Sequence, residues 1–597
     1  MTQETARRRR APGRGLLARL FANPASAVSL AFLFSVAIVV VLGEPLAPRD
    51  PNHSSLYDIL SAPGGEYPLG TDGAGRDVLS RLLVATRVSV LAALLALAVS
   101  LVLGVAGGML AGYYGGWFDT VSTWLTSLVM SLPAIVVLLA ARAVLGPSVW
   151  LSMAVFGVIL SPVFFRLVYS LVSSVREELY VDAARVSGLG DARIMGRHIL
   201  AVVRAPIIVQ AAIVTSTAIA VQSGLEFLGL GDSSVPTWGG MLNEGFANIY
   251  RAPMLLLWPA LTIALTSVAL AMLANTLRDE LEGGNRSAEG RGDGEGDKEN
   301  GSREAAHAPI RHGAEQADAG RELLTVRGLR VGYRTPAGIT EVVHGVDLSV
   351  GRGEVHGLVG ESGSGKTQTA FAVMGLLSRG GRVLEGSVSF DGEDLVTGGE
   401  SALARIRGRG IGYVPQEPMS NLDPSFTIGS QLVEPLRVCL GMDRRAARAR
   451  ALELLERVGI PDPERTFSSY PHQVSGGMAQ RVLIAGAVST EPALLIADEP
   501  TTALDVTVQA EVLDLLRDLR QDLDMGVLLV THDFGVVADL CDRVSVMRSG
   551  HIVETGPTRE IFHRARHPYT RSLLDSILDG GGARGPLAPT DRKGVTP

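Results

Sequence analysis

Long apolar stretches without a charged residue are confined to the N-terminal half of this 597-residue chain. Each is long enough to cross a bilayer core of about 30 Å at about 1.5 Å per residue. Inside lipid, a helix satisfies its own backbone hydrogen bonds, so these stretches predict an all-α, polytopic membrane domain over residues 25–281 with six transmembrane helices. The stretches are Ala25 to Gly43, Val88 to Phe118 (which must include a turn at Gly112 to Gly116), Thr120 to Ala141, Ala143 to Phe165, Ala205 to Leu225 and Ala252 to Leu277.

Basic residues indicate the orientation of these helices. The arginines of residues 7–19 precede the first stretch, so a signal peptide is one interpretation. That stretch is longer than a typical signal core, ends at Glu44-Pro45 without a small-residue cleavage site, and is followed by further spans, so we interpret residues 1–24 as a cytoplasmic basic N-terminus. The arginines between residues 166 and 204 then also face the cytoplasm. Arg76, Arg81 and Arg87 count against this orientation, and neighbouring acids only partly offset them.

Charge and cysteine content narrow the possible functions. The net charge of −7 gives no support for nucleic-acid binding, which favours a basic face. The two cysteines, Cys439 and Cys541, are far apart in the polar half, which argues against a disulfide framework or a cysteine-rich metal site. We expect both to be reduced, structural thiols in the cytoplasm.

Residues 282–321 separate the apolar half from a second domain. They are mostly Gly, Ala, Glu, Asp, Arg and Asn, with almost no large apolar side chain, so we predict a disordered linker. As a flexible coil of roughly 40 residues it would span about 35 Å. That span does not decide whether the second domain docks on its own membrane half or on a partner's.

A glycine-rich loop, residues 360–367, lies between an apolar strand-like run and a helix-like run. In that context glycines let backbone N–H groups point at phosphate oxygens, while a lysine adds charge and a threonine hydroxyl reaches Mg²⁺. A chance Gly/Ser turn is the alternative. The residues expected to bind ATP here are Gly360, Ser362, Gly363, Gly365, Lys366 and Thr367.

Polar residues follow three further strand-like runs. Gln416 ends one of them, where its amide reaches the metal and the attacking water. Asp498 and Glu499 end another, and paired acids in phosphoryl transfer hold Mg²⁺ and orient the water, respectively. His532 ends the third. A lone histidine is usually structural, but one in this order has the position of a histidine that contacts the γ-phosphate.

The stretch Ser475-Gly476-Gly477 precedes a helix and offers N–H groups to a phosphate, or else is a simple helix cap. It resembles the signature motif of ABC ATPases. The order of motifs also resembles that family, which implies an α/β P-loop ATPase domain with a helical subdomain over residues 322–580. The resemblance also implies that Asp505 contacts the opposing ATPase domain. Tyr333 has the position of an adenine-stacking aromatic, and a surface-strand tyrosine is an equal alternative.

The loop from Ser173 to Arg204 contains small residues on a short helix, with charges that keep it at the membrane surface. It resembles the cytoplasmic coupling loop of permeases in binding-protein-dependent ABC importers, whose pattern is Glu-Ala-Ala, three residues, Gly. The matching positions are Asp182, which replaces the glutamate, and Ala183, Ala184 and Gly188; a further difference is Ala201 where proline is usual. A solvated amphipathic loop is the alternative.

Residues 68–81, 225–231 and 238–239 resemble permeases of dipeptide, oligopeptide and nickel importers, and residues 567–574 resemble their ATPases. The cysteine-containing extension of those ATPases is replaced here by a flexible, cysteine-free tail, residues 581–597, so no iron–sulfur cluster is expected. The resemblance implies a permease fused to an ATPase in the cytoplasmic membrane of a prokaryote.

This resemblance implies import of a small solute, foremost di- or oligopeptides, driven by ATP with Mg²⁺. Its partners would be a second permease subunit, a second ABC ATPase domain, an extracytoplasmic solute-binding protein and the lipid bilayer. A nickel or other metal-chelate importer of the same family is the first alternative. An exporter half-transporter and a membrane ATPase that moves no solute are alternatives of another class; the first would lack the coupling pattern, and the second usually has a larger extracytoplasmic domain than residues 44–87 allow.

Overall fold

The computed structural model describes residues 24–232, 234–285, 322–335, 338–378, 380–502 and 504–578. The chain divides into two compact units. The first comprises residues 1–176 and 199–299, and the second comprises residues 177–198 and 300–597. The predicted N-terminus up to residue 23, the linker from residue 286 and the predicted tail lie outside the described residues.

The first unit is built from helices. Among the described residues, five helices are long and apolar enough to cross a membrane, or six if one bent pair is a single span. The helices up to residue 285, including α6 of the second unit, are α1 (Pro24–Leu46), α2 (Val78–Tyr114), α3 (Gly116–Ser131), α4 (Ala134–Leu145), α5 (Val149–Val175), α6 (Leu179–Val186), α7 (Leu200–Leu225), α8 (Trp238–Ala247) and α9 (Met254–Asn285).

Several predicted helix boundaries were wrong. The stretch Thr120 to Ala141 is not one straight helix, because α3 and α4 meet at 85°. Pro133 caps the start of α4, and proline cannot donate the hydrogen bond that would continue the first helix. Helix α2 begins at Val78 and α5 runs to Val175, so both extend past the charge-free stretches. Helix α9 continues to Asn285, beyond the predicted boundary at 281.

The arginines that counted against the predicted orientation are paired with acids. Arg76 Nε lies 2.7 Å from Asp72 Oδ2, and its Nη2 lies 3.1 Å from Glu244 Oε1. Arg81 Nε lies 3.3 Å from the same Asp72 oxygen. Arg87 Nη1 lies 2.5 Å from Glu44 Oε2. Each of these arginine charges is therefore neutralised by a neighbouring acid, which weakens the argument that they made against the predicted orientation.

The second unit contains two sheets. A four-stranded antiparallel sheet has the order β2-β1-β4-β5, and a six-stranded sheet has the order β10-β9-β3-β8-β7-β6. In the six-stranded sheet every neighbouring pair is parallel except β9 and β10. The strands are β1 (Glu322–Thr335), β2 (Gly338–Gly351), β3 (Val355–Val359), β4 (Gly381–Phe390), β5 (Glu393–Asp394), β6 (Ile411–Val414), β7 (Leu494–Asp498), β8 (Gly526–Thr531), β9 (Arg543–Arg548) and β10 (His551–Pro557).

Helices cover both sheets. The helices that follow β6 and precede β7 in the sequence form a separate helical layer, in agreement with the predicted helical subdomain. The helices of this unit beyond α6 are α10 (Lys366–Met374), α11 (Leu395–Ile406), α12 (Ile428–Cys439), α13 (Arg444–Arg457), α14 (Pro463–Ser468), α15 (Gly476–Val488), α16 (Val506–Leu523), α17 (Phe534–Leu540), α18 (Thr558–Arg564) and α19 (Pro568–Leu578).

The parallel register places the ends of three strands at one sheet edge. Strands β3, β7 and β8 are buried along their whole length, as expected for parallel strands covered on both faces. Val359 at the end of β3 is opposite Thr531 of β8, and Asp498 at the end of β7 is opposite Val530. Ligands of open α/β sheets bind at such carboxyl ends. The loops that follow these strands form the site described next.

Candidate functional site

The glycine-rich loop follows β3 and leads directly into α10. Gly365 caps the helix with φ +102°, a conformation that favours glycine. At Gly360 a Cβ atom would lie 2.1 Å from the carbonyl oxygen of Met547, so only glycine fits. The loop therefore has the backbone shape that a phosphate cradle at a helix N-terminus requires.

Lys366 is held inside this loop. Its Nζ donates to the carbonyl oxygens of Gly360 at 2.8 Å and Glu361 at 2.9 Å. Burial lowers its pKa, while Glu499 and Asp498 oppose that shift. The ammonium group is thus partly dehydrated and ready to meet an anionic ligand.

Asp498 lies beside Thr367 on the neighbouring loop. The Thr367 hydroxyl donates to Asp498 Oδ1 at 3.3 Å. Burial raises the pKa of Asp498 to about 6, against the lowering effect of the Thr367 hydrogen bond. A buried carboxylate and a hydroxyl at this distance are a donor set suited to a hard divalent cation.

Glu499 is the centre of a second polar group. Its carboxylate accepts from Gln416 Nε2 at 2.7 Å and from the Thr502 hydroxyl at 3.0 Å, and His532 Nδ1 lies 3.0 Å from its other oxygen. Its backbone has φ +46°, which is rare for a residue with a side chain and is typical of strained functional positions. Gln416 and His532, predicted separately from two strands, therefore meet at the Glu499 carboxylate, and Asp498 directly precedes Glu499 in the chain.

The signature residues lie elsewhere in the unit. Ser475 caps α15 by accepting from Met478 N at 3.4 Å, and Gly477 packs against Val508 of α16. Gly476 has open space around it. Ser475 and Gly477 line a surface cleft, and none of the described residues that line it belongs to the phosphate loop.

Two further predicted residues have defined local partners. Asp505 caps α16 by accepting from Val508 N at 3.0 Å. Tyr333 is half-buried, and its hydroxyl donates to Gln368 of α10. Its ring packs on Gly381, where a Cβ atom would lie 2.6 Å from Tyr333 Cε1.

The glycine of the predicted coupling loop lies within the second unit. Gly188 has φ +78°, and a Cβ atom there would lie 2.7 Å from Cys439 Sγ and 2.8 Å from the Arg407 carbonyl oxygen. Cys439 Sγ in turn donates to the Ser187 carbonyl oxygen at 3.3 Å. Gly188 is thus needed both for its conformation and for its close fit.

The small residues before this glycine are also packed. Ala184 is buried, and Asp182 pairs with Arg185 at 3.1 Å. Ala183 and Ala184 both line a pocket that lies between α6 and the residues around β6. These small side chains therefore face the sheets of the second unit, and their size lets α6 approach the sheets closely. The burial of Ala184 argues against the alternative of a solvated amphipathic loop.

An ion-pair cluster that the sequence did not reveal follows Gly188. We name it the anchor cluster; it consists of Arg193, Arg197, His198, Asp423 and Glu434. Glu434 Oε1 lies 2.5 Å from Arg193 Nε, and its Oε2 lies 3.3 Å from both Arg197 Nε and His198 Nε2. His198 Nδ1 lies 2.8 Å from Asp423 Oδ2. Burial opposes ionisation, but hydrogen bonds from His198 and Arg193 hold the pKa of Glu434 below its usual value.

The fold and the site define a phosphate-binding ATPase unit in a chain that also carries a helical membrane unit. Comparison with known proteins assigns each part. Residues 343–502 match the family described as ABC transporter, and residues 104–286 match the binding-protein-dependent transport system inner membrane component. Residues 553–593 match the oligopeptide/dipeptide transporter C-terminal region.

Individual relatives match the ATPase half. A putative peptide import ATP-binding protein of Brucella melitensis is 52% identical over 267 residues, which are 44% of this chain and 79% of that protein. The oligopeptide transport ATP-binding protein of Bacillus subtilis is 47% identical over 43% of this chain and 72% of that protein. A solved dimeric ATP-binding cassette with ADP and Pi is 29% identical, covers 40% of this chain and 99% of that chain, and gives a TM-score of 0.36.

The chain belongs to the ABC transporter family and joins a permease of the binding-protein-dependent type to its ATPase. It is a membrane protein that binds nucleotide and couples ATP hydrolysis to transport. The predicted fused architecture is confirmed, and the exporter and non-transport alternatives gain no support.

Proposed function

We propose that this chain imports di- or oligopeptides across the cytoplasmic membrane of a prokaryote, with its ATPase half and N-terminus in the cytoplasm. The observation that carries the proposal is the fit of Gly188 against Cys439, because it joins a permease loop to an ATPase fold. The printed names of the ATPase relatives support a peptide as the solute. The proposed domains are the permease from residue 25 to the end of α9 at residue 285, the linker from there to residue 321, and the ATPase over residues 322–580.

In the proposed site, ATP lies on the phosphate loop. The backbone N–H groups of residues 360–367, with the Ser362 side chain, bind phosphate oxygens, and Lys366 approaches the terminal phosphates. Tyr333 stacks on the adenine. The buried position of Lys366 supports this role, since its attraction for an anion is stronger where water is excluded.

Mg²⁺ fits the residues beside the loop. Thr367 and Asp498, 3.3 Å apart, supply hydroxyl and carboxylate oxygens, and we assign the Gln416 amide oxygen as a third ligand; all three are ligand types that Mg²⁺ prefers. A bound Mg²⁺ would neutralise charge on the β- and γ-phosphates during phosphoryl transfer. It would also favour the ionised form of Asp498, whose pKa burial raises to about 6.

Glu499 orients and deprotonates the attacking water. Gln416 and Thr502 fix the direction of its carboxylate, so the oxygen that accepts the proton is set before the nucleotide reacts. His532, 3.0 Å from the other oxygen, contacts the γ-phosphate and links that contact to the base.

Hydrolysis in this proposal needs two ATPase domains. Ser475, Gly476 and Gly477 lie at a helix N-terminus and beside a cleft without phosphate-loop residues, so they are suited to ATP held by a second ATPase domain. Asp505, which caps the helix that carries Glu511 of the same cleft, touches that second domain. A second permease and an extracytoplasmic solute-binding protein complete the transporter.

Closure of the two ATPase domains moves the loop residues Asp182 to Gly188 and changes the side to which the pathway opens. The test is the substitution Glu499→Gln in the complex purified from native membranes. It should retain ATP binding and lose hydrolysis and uptake together, because only the proton acceptor is removed. Undiminished turnover would exclude Glu499 as the base, and a purified homodimer that transports substrate would contradict the heteromeric assembly.

A further inference from the structure

A cluster of buried polar side chains lies at the end of α7 in the first unit. Gln222, Ser223 and Glu226 are 2%, 4% and 3% exposed, respectively. At helical spacing they continue the buried face of α7 that includes Ala218 and Ile219. Ala218 and Ile219 belong to the apolar core of the unit, so the polar cluster also faces the interior of the helical bundle.

Four polar atoms of this cluster have no hydrogen-bond partner among the residues that the structure describes. They are both amide atoms of Gln222, the Ser223 hydroxyl oxygen and Glu226 Oε2. Buried polar atoms nearly always have a partner, so a group of unpaired ones indicates a proton, a water molecule or another ligand that the cluster holds. The charge of Glu226 decides among these.

The Glu226 carboxyl group forms no ion pair within 4.0 Å in the described part of the chain. Three charged groups belong to the elements around it, and each has another partner: Arg142 has the Pro147 carbonyl oxygen, Asp232 has Ser234, and Glu244 has Arg76. An ionised carboxylate buried in a membrane unit without a bonded cation is strongly disfavoured, and such a group usually takes up a proton instead.

Close packing around Glu226 excludes a larger ligand. A Cβ atom at Gly239 of α8 would lie 2.5 Å from the Ser223 carbonyl oxygen and 2.8 Å from Glu226 Cβ. A Cβ atom at Gly231 would lie 3.4 Å from Glu226 Cγ. Helix α8 and the loop before it therefore cover this side chain. A proton fits such a site, whereas a hydrated metal ion does not.

We infer that Glu226 is a proton-binding site of the membrane unit: its carboxyl group is neutral while α8 packs on α7, and it gives its proton to water when the two helices separate. Gln222 lies one turn earlier on the same helix and offers an acceptor for the bound proton. A hydrated glutamate is ionised near neutral pH, so separation of the helices releases the proton. Proton binding is thereby linked to the conformation of the membrane unit.

Infrared difference spectroscopy of the complex purified from native membranes tests this inference, because a protonated carboxyl group has a C=O stretch that a carboxylate lacks. Near neutral pH, Glu226→Gln should lose one such band. The control Glu66→Gln introduces the same amide but removes a 73% exposed acid paired with Arg49, so it should lose none. Identical bands in Glu226→Gln and the unmodified complex would show that Glu226 is ionised and would overturn the inference.

Two glycine variants test the link to helix packing. Gly239→Ala forces α8 away from Ser223 and Glu226, so it should admit water and remove the same band. Gly224→Ala places its methyl group in open space on α7 and should keep the band. A band that persists in Gly239→Ala, or an equal loss in Gly224→Ala, would contradict the link. These spectra require neither ATP nor peptide, so their outcome is independent of the proposed function.

Discussion

Loss of the Glu434 charge should release the predicted coupling loop from the rest of the ATPase unit. Glu434 is buried and is the common partner of Arg193, Arg197 and His198 in the anchor cluster. Glu434→Gln keeps the shape of the side chain and removes the charge. Arg193, Arg197 and His198 then keep their positions but lose the Glu434 carboxylate as a partner.

The size of the effect follows from burial. Breaking a buried ion pair by removing one partner costs about 3 to 5 kcal/mol. The side chains of Arg193 and Arg197 are 40% and 36% exposed, whereas that of His198 is 5% exposed. Water therefore compensates part of the loss at the two arginines but not at the histidine. We expect the docked loop to lose about 2 to 3 kcal/mol, which corresponds to about a 30- to 150-fold increase in the undocked fraction.

A native thiol reports this fraction. Cys439 lies under Gly188 and is buried, and burial raises its pKa. It should therefore react slowly with a maleimide while the loop is docked. In a Cys541→Ser background Cys439 is the only thiol of the chain. When the loop closes faster than the reagent reacts, the labelling rate is proportional to the undocked fraction.

The control variant is Glu453→Gln, which removes the 63% exposed acid of an ion pair with the half-buried Arg450 in the same helical layer. It should leave Cys439 labelling within about twofold, because exposed pairs contribute at most about 1 kcal/mol. Equal labelling rates for Glu434→Gln and the unmodified residue would refute the role of the anchor cluster. Faster labelling with normal coupled uptake would show that the cluster docks the loop without serving transport.

Two further predictions concern other parts of the second unit. Gly188→Leu should uncouple ATP hydrolysis from uptake, because any Cβ atom collides with Cys439 Sγ at 2.7 Å; normal substrate-stimulated transport would contradict the coupling assignment. Burial lowers the pKa of His356 to about 3, below its unfolded value of about 6.5, so the unfolded chain binds more protons and stability falls as pH falls below about 6.5. Between pH 7 and pH 5 this costs about 2 kcal/mol, which His356→Gln should abolish. Both cysteines are in the ATPase unit, so thermal unfolding followed by thiol labelling measures this unit; an unchanged pH dependence in the variant would refute the assignment.

The proposed catalytic corner could be predicted from the sequence because each of its members ends a strand. Parallel strands bring their carboxyl ends to one edge, so Asp498, Glu499 and His532 had to meet once β7 and β8 were recognised as neighbours. The close fit at Gly188 was implied by the resemblance of residues 182–188 to the coupling loop of importer permeases.

Contacts between distant residues were not predictable in the same way. Arg193 and Glu434 are 241 positions apart, and a glutamate inside an amphipathic helix looks like any solvated charge. The sharp bend before α4 was missed because Pro133 lies in an otherwise continuous apolar stretch, where a kink and a break have the same sequence pattern.

Uptake of a labelled peptide by proteoliposomes is the most direct test of the account. The transporter purified from native membranes, with its binding protein supplied on the side opposite the ATPase units, should accumulate peptide only when ATP is present on the ATPase side. Glu499→Gln should abolish accumulation while nucleotide still binds. Peptide accumulation that continues in Glu499→Gln, or ATP-driven movement in the opposite direction, would contradict the assignment of this chain as an ATP-driven importer.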